Sequence, residues 1–258
     1  MDIQLKGVEF GYDSDVMVLK GIDFEFNKPE FICIMGPNGV GKSTLIHCMN
    51  KILKPTGGTV LIDGKDITGI KLKELARNMG YVPNATEDAF PLTVVDTVMV
   101  GLQNDYKFGT TSDDLQKVHD ALKLMGIEHL AMRNFDELSA GQHQKVMLAR
   151  GLVREPSVVL LDEPTSNLDI RHQIEVTKVL SRLPRDKGMT VIMISHDINI
   201  TAKFADRIIM LHDGEIYAVG TPSEVLTKEN LHIVYGVDAD IIEKDGRPHV
   251  ILNDAYPE

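Results

Sequence analysis

Residues 31–35 read FICIM, an unbroken apolar run, and residues 36–44 follow at once as GPNGVGKST. A short apolar run ended by a glycine turn predicts a strand buried on both faces of a parallel sheet. The next stretch, STLIHCMNKIL, has helical spacing. Gly36, Pro37, Asn38, Gly39, Val40, Gly41, Lys42 and Ser43 fit the pattern G-x-x-x-x-G-K-[ST]. The glycines allow a tight turn in which successive N–H groups point inward at phosphate oxygens. The helix that follows adds its positive end to the same place. Lys42 is placed to reach β- and γ-phosphates, and the Ser43 hydroxyl to ligate Mg²⁺. Strand, phosphate loop and helix in this order predict an α/β fold.

Residues 3–10 (IQLKGVEF) and 22–26 (IDFEF) alternate apolar and polar side chains, which predicts half-buried strands. TVLID at 59–63 predicts another strand, residues 71–79 a helix, and MGYVP at 79–83 a strand end. From about 84 to 155 the character changes. Residues 94–102, 112–125 and 142–154 have helical spacing and strand signals are few, so this stretch reads as a helical insertion. SVVLLD (157–162) and TVIMIS (190–195) return to buried strand, with a helix over 170–183 between them. IIMLHDGEIYAVG (208–220) predicts two strands around an Asp-Gly turn. Residues 221–233 read as a helix plus a loop, and the tail from about 238 carries weak strand signals.

VVLLDEP sets Asp162 and Glu163 at the end of a second buried strand. In an open parallel sheet that is the edge where ligands bind. Asp162 is a candidate to hold Mg²⁺, and Glu163 to orient or deprotonate an attacking water. His196 ends a third such strand and is expected to reach the γ-phosphate.

The formal net charge of −11 runs against a nucleic-acid partner. No apolar run approaches the ~20 residues that span a bilayer. The start, MDIQLKGVEFGY, lacks the basic-then-apolar pattern of a signal peptide. The expectation is a cytosolic chain that meets a membrane only through a partner. Cys33 and Cys48 are expected to be buried thiols rather than a disulfide or a metal pair.

Residues 138–146, LSAGQHQKV, form a second turn with anion-holding character, again opening a helix. It cannot serve a phosphate that the first loop already surrounds. GPNGVGKST, LSAGQ, VVLLDEP, SNLD (166–169) and His196 stand in the order of the ATP-binding-cassette (ABC) ATPases, and together resemble a complete nucleotide-binding domain. The motifs run from Tyr12 to His196 and the fold resemblance to about residue 220. It implies a P-loop NTPase (RecA-like) core with an antiparallel β subdomain and a helical insertion. The domain would cover 1–237, leaving 238–258 as a short tail.

In that family two cassettes pack head to tail with ATP between them. The resemblance then implies that the Gly36–Thr44 loop holds ATP in one subunit. Ser139 and Gly141, with Gln142 beside them, would contact the γ-phosphate of ATP bound to the other subunit. Tyr12 matches the aromatic that stacks on adenine, and Asn167 and Asp169 match the loop that couples the two sites. Asn84 falls where the family usually has a glutamine that contacts Mg²⁺ and water, and it is one methylene shorter. Ala140 replaces the commoner middle glycine, and His143 reads as a surface or helix-start residue.

AFPLTVVDTVMVG (89–101) and DEPTSNLDIRHQIEV (163–176) resemble importers of iron–siderophore, haem and cobalamin type. The implied assembly is a homodimer on the cytoplasmic face, docked near residues 84–101 on a membrane permease that a solute-binding protein feeds. Phe90, Leu92, Val94 and Val95 also read as core of the helical lobe. An exporter ATPase and a soluble, non-transport ABC ATPase are the alternatives. The absence of a second cassette, a coiled-coil insertion or a cysteine cluster disfavours the latter.

Overall fold

FICIM becomes a strand with all five residues buried, as a strand covered on both faces must be. The computed structural model describes residues 1–13, 16–84, 92–102 and 109–256. Its first strands, β1 (Ile3–Asp13) and β2 (Val16–Phe26), pair antiparallel. The second begins earlier than the expected 22–26, because Met17 and Leu19 pair against Gly11 and Phe10 and extend the hairpin. Then come β3 (Phe31–Met35), α1 (Lys42–Met49), β4 (Gly57–Ile62), β5 (Lys65–Asp66), α2 (Leu72–Asn78) and β6 (Met79–Val82). The insertion follows as α3 (Val94–Val100), α4 (Ser112–Leu124) and α5 (Ala140–Leu152).

The chain returns through β7 (Val158–Leu161), α6 (Ile170–Leu180), α7 (Leu183–Lys187), β8 (Thr190–Ile194), α8 (Ile198–Phe204), β9 (Arg207–His212) and β10 (Glu215–Gly220). The helix expected over 170–183 stops at Leu180, and Pro184 at the start of α7 opens a separate turn. Proline suits a first helical turn and disrupts an interior one. The expected helix plus loop at 221–233 is two helices, α9 (Pro222–Val225) and α10 (Lys228–Tyr235). The tail forms a hairpin, β11 (Val237–Lys244) with β12 (Arg247–Ala255), around Asp245-Gly246. Both turn residues have positive φ, as do Asp213-Gly214 between β9 and β10. That is the backbone Asp-Gly tolerates in a two-residue hairpin.

One sheet is antiparallel, β2-β1-β4-β5; the other runs β10-β9-β3-β8-β7-β6, with β9 to β6 parallel. The second sheet divides the interior into two cores. Ile32, Ile34, Leu160, Ile192 and Ile194 face α1 and the antiparallel sheet. Phe31, Cys33, Met35, Val159 and Leu161 face the insertion and the C-terminal helices. Alternate residues of each strand thus serve opposite cores, which is why these strands read as continuous apolar runs. The hairpin is not detached: Ala239 and Val250 are buried in the second of these cores, and Asn199 exchanges two hydrogen bonds with Val250. Cys33 and Cys48 are buried free thiols, as expected. Among the described residues, no helix is long and apolar enough to cross a membrane.

Parallel pairing has one consequence for function. β3, β8, β7 and β6 all end at the same edge, so the segments after Met35, Ile194, Leu161 and Val82 meet there.

Candidate functional site

The loop after β3 is fixed by close approach. Gly36 has φ +147, and a Cβ there would lie 2.4 Å from the Leu211 carbonyl oxygen on β9. At Gly41, φ +101, a Cβ would lie 2.8 Å from the Leu19 side chain on β2. Two glycines therefore stitch the loop to a neighbouring strand on each side. Gly39, φ +80, has open space around it, and Asn38 and Gly39 form the exposed crest. Lys42 is buried, and its Nζ donates to Gly36 O at 2.8 Å and Pro37 O at 2.7 Å. Burial lowers its pKa, while the nearby Glu163 and Asp162 charges oppose that. The loop thus holds a cation among converging backbone groups at a helix start, which fits a polyphosphate.

Asp162 follows β7 and is buried; it accepts from the Ser43 hydroxyl at 3.0 Å. Burial raises its pKa, and the Ser43 bond acts the other way. A hydroxyl and a carboxylate side by side are the hard-oxygen donor set that Mg²⁺ takes, so these residues fit that ion. Behind them His47 Nε2 and Tyr81 OH are 2.9 Å apart. Tyr81 is pushed up to about 12 by burial and then by the Asp162 charge.

Glu163 has φ 49, a left-handed backbone uncommon outside glycine. Its side chain is held at both oxygens. His196, just past β8, approaches Oε1 through Nε2 at 2.5 Å, and Asn84, just past β6, donates from Nδ2 to Oε2 at 3.0 Å. Asn84 Oδ1 accepts from the Ser166 hydroxyl at 3.0 Å. The fold thus brings Lys42, Ser43, Asp162, Glu163, His196 and Asn84 to one sheet edge, with Asn84 on Glu163 and Ser166. Tyr12 stands beside this group; the residue is 66% exposed and its hydroxyl lies 3.4 Å from Thr44 Oγ1.

The second turn lies at the start of α5 and its Ser139 is exposed. Ser139 Oγ accepts from Gln142 N, and Gln142 Oε1 accepts from Ser139 N at 3.0 Å, a complete capping box. Ala140 and Gly141 add first-turn N–H groups that no helix carbonyl can take. The space beside Gly141 leads to His172 and Leu168. Asp169 caps α6 and bonds His172 Nδ1 at 2.8 Å, while Asn167 is exposed. His143 starts α5 as expected, but it is no plain surface residue: it stacks on Phe135 at 4.3 Å and donates to the Phe135 carbonyl.

Ser166, His47 and His172 were not picked out from sequence. His47 carried a readable signal, since it lies four residues after Ser43 and so on the same helix face. Of the expected docking segment, Leu92 and Val95 are half-buried and Val94 is core, whereas Phe90 lies outside the described residues.

The model of the ABC transporter family matches residues 19–166. An uncharacterised ABC transporter ATP-binding protein of Methanocaldococcus jannaschii is 44% identical over 97% of this chain and 98% of its own. The ferric enterobactin transport ATP-binding protein of Escherichia coli is 36% identical, over 91% of this chain and 88% of its own. The hemin import ATP-binding protein of Bordetella avium is also 36% identical, over 87% and 88%. Among solved structures, a dimeric ATP-binding cassette in a post-hydrolysis state with ADP and phosphate superposes with TM-score 0.75 at 30% identity, covering 85% of this chain and 98% of that one.

Proposed function

The chain belongs to the ABC transporter family, and we propose that it is the ATPase subunit of an importer for an iron chelate, haem, cobalamin or a related metal compound. It binds and hydrolyses ATP. The observation that carries the chemistry is the single sheet edge on which Lys42, Asp162, Glu163 and His196 meet. The similarity to ferric enterobactin and hemin ATPases supports the importer reading and the solute class.

In this reading the Gly36–Thr44 loop and Lys42 hold the β- and γ-phosphates, and Tyr12 stacks on the base. Ser43 and Asp162 would hold Mg²⁺. Bound there, the ion would supply positive charge against that developing on the phosphate oxygens. Glu163 accepts the proton of the attacking water at its carboxylate, and each of its oxygens keeps a further lone pair besides the one His196 or Asn84 occupies. His196 fixes where that carboxylate points. Ser139, Gly141 and Gln142 complete the site of a second copy across a homodimer, and Asn167 and Asp169 lie on the loop between the two sites. The dimer sits peripherally on the cytoplasmic face, docked near residues 84–101 on a permease.

The test is affinity capture of the tagged chain from gently solubilised membranes. A polytopic permease among the recovered proteins supports the importer reading, and its relatives narrow the solute. Ribosomal or DNA-associated proteins with no membrane partner would overturn it.

A further inference from the structure

The geometry points to Asn84 and Ser166 as positioning residues for the Glu163 carboxylate. This inference rests on the reading of Glu163 as the base. An amide has two chemically distinct ends, a donor nitrogen and an acceptor oxygen. In Asn84 the nitrogen faces Glu163 Oε2 at 3.0 Å, and the oxygen faces the Ser166 hydroxyl at 3.0 Å. The neighbours fix that orientation: an ionised carboxylate can only accept, so it must meet the nitrogen. The oxygen is the end that could ligate a metal, and it is turned to Ser166.

Ser166 anchors the strut at its other end. Its Oγ lies 3.0 Å from Asn84 Oδ1 and 3.1 Å from the Glu163 carbonyl oxygen, so its one proton is shared between them. The Ser166 N–H also donates to that carbonyl, at 3.2 Å. The turn that holds Glu163 in its left-handed backbone and the strut that holds its side chain therefore share one residue. With His196 on Oε1 and Asn84 on Oε2, rotation of the carboxylate is blocked from two directions. Removing the Asn84 arm leaves a single tether and a carboxylate free to leave the attack geometry. Misplacement of a base lowers the chemical step without weakening ATP binding.

The experiment is steady-state ATPase kinetics of Asn84→Ala, Ser166→Ala and Ser166→Thr beside Glu163→Gln, with ATP and Mg²⁺ each titrated. The expected result is a kcat about tenfold lower in the two alanine variants, with KM for ATP within about twofold and an unchanged half-saturating Mg²⁺ concentration. Ser166→Thr, which keeps the hydroxyl, recovers most of the loss. A Mg²⁺ requirement that rises in Asn84→Ala overturns the assignment in favour of a metal role. Normal kcat in Asn84→Ala or Ser166→Ala, with Glu163→Gln inactive, overturns the strut alone. Normal turnover in Glu163→Gln overturns the underlying reading of the base.

Discussion

His196 Nε2 lies 2.5 Å from Glu163 Oε1, and the two residues reach each other from the ends of adjacent parallel strands. The catalytic proposal depends on this pair. Glu163→Gln keeps the shape but replaces one accepting oxygen with an amide nitrogen that only donates, and so removes the base. It is expected to bind ATP, remain associated as an ATP-bound dimer, and lose turnover by roughly 10²–10³-fold. Phosphate release measured beside ATP binding checks this. Loss of both together would mean that Glu163 is structural.

Tyr12 is expected to act through binding. Its exposed ring sits next to the loop that begins α1, and its hydroxyl only brushes Thr44 at 3.4 Å. Tyr12→Ala should raise KM for ATP by about fivefold to tenfold, on the order of 1 kcal/mol of aromatic contact, with kcat little changed. Tyr12→Phe should behave as wild type. A kcat loss in either variant would place Tyr12 in the chemistry.

Much of this site is legible in the sequence because its parts are local. GPNGVGKST, VVLLDEP and the residues after TVIMIS each carry their chemistry within a few positions of an apolar strand, and strand ends of a parallel sheet converge. What was not legible is pairwise and long-range. Nothing in the sequence says that Asn84 meets Ser166 across 82 positions, or that His172 packs by Gly141. The early start of β2 escaped, and the C-terminal hairpin gave only weak strand signals, for a related reason: partner strands, and not the residues' own pattern, complete them.

The phosphate loop's glycines should differ in what they tolerate. Gly36→Ala drives a Cβ to 2.4 Å from the Leu211 carbonyl oxygen, a backbone atom that cannot swing aside, and is expected to destabilise the fold by about 2–4 kcal/mol. Gly39→Ala meets no neighbour and bears only its left-handed backbone, on the order of 1 kcal/mol. Thermal melting of the two variants separates these cases, and equal shifts would refute the packing argument.

The two thiols should be inert in the native chain. Burial pushes Cys33 up to about 12 and Cys48 up to about 11, so at pH 8 neither carries an appreciable thiolate fraction. A thiol reagent at that pH is expected to label neither within the time in which it labels both after denaturation. Fast labelling of Cys48 would show that α1 opens.

The most direct test of the composite site is complementation between two inactive variants. Lys42→Ala damages the phosphate loop and leaves the Ser139 turn intact. Ser139→Arg does the reverse. If one ATP lies between the loop of one copy and the turn of another, each variant alone is inactive. The mixture should then regain hydrolysis, because each mixed dimer contains one whole site. A mixture as inactive as its components, with both variants still folded and dimerising, would contradict the account.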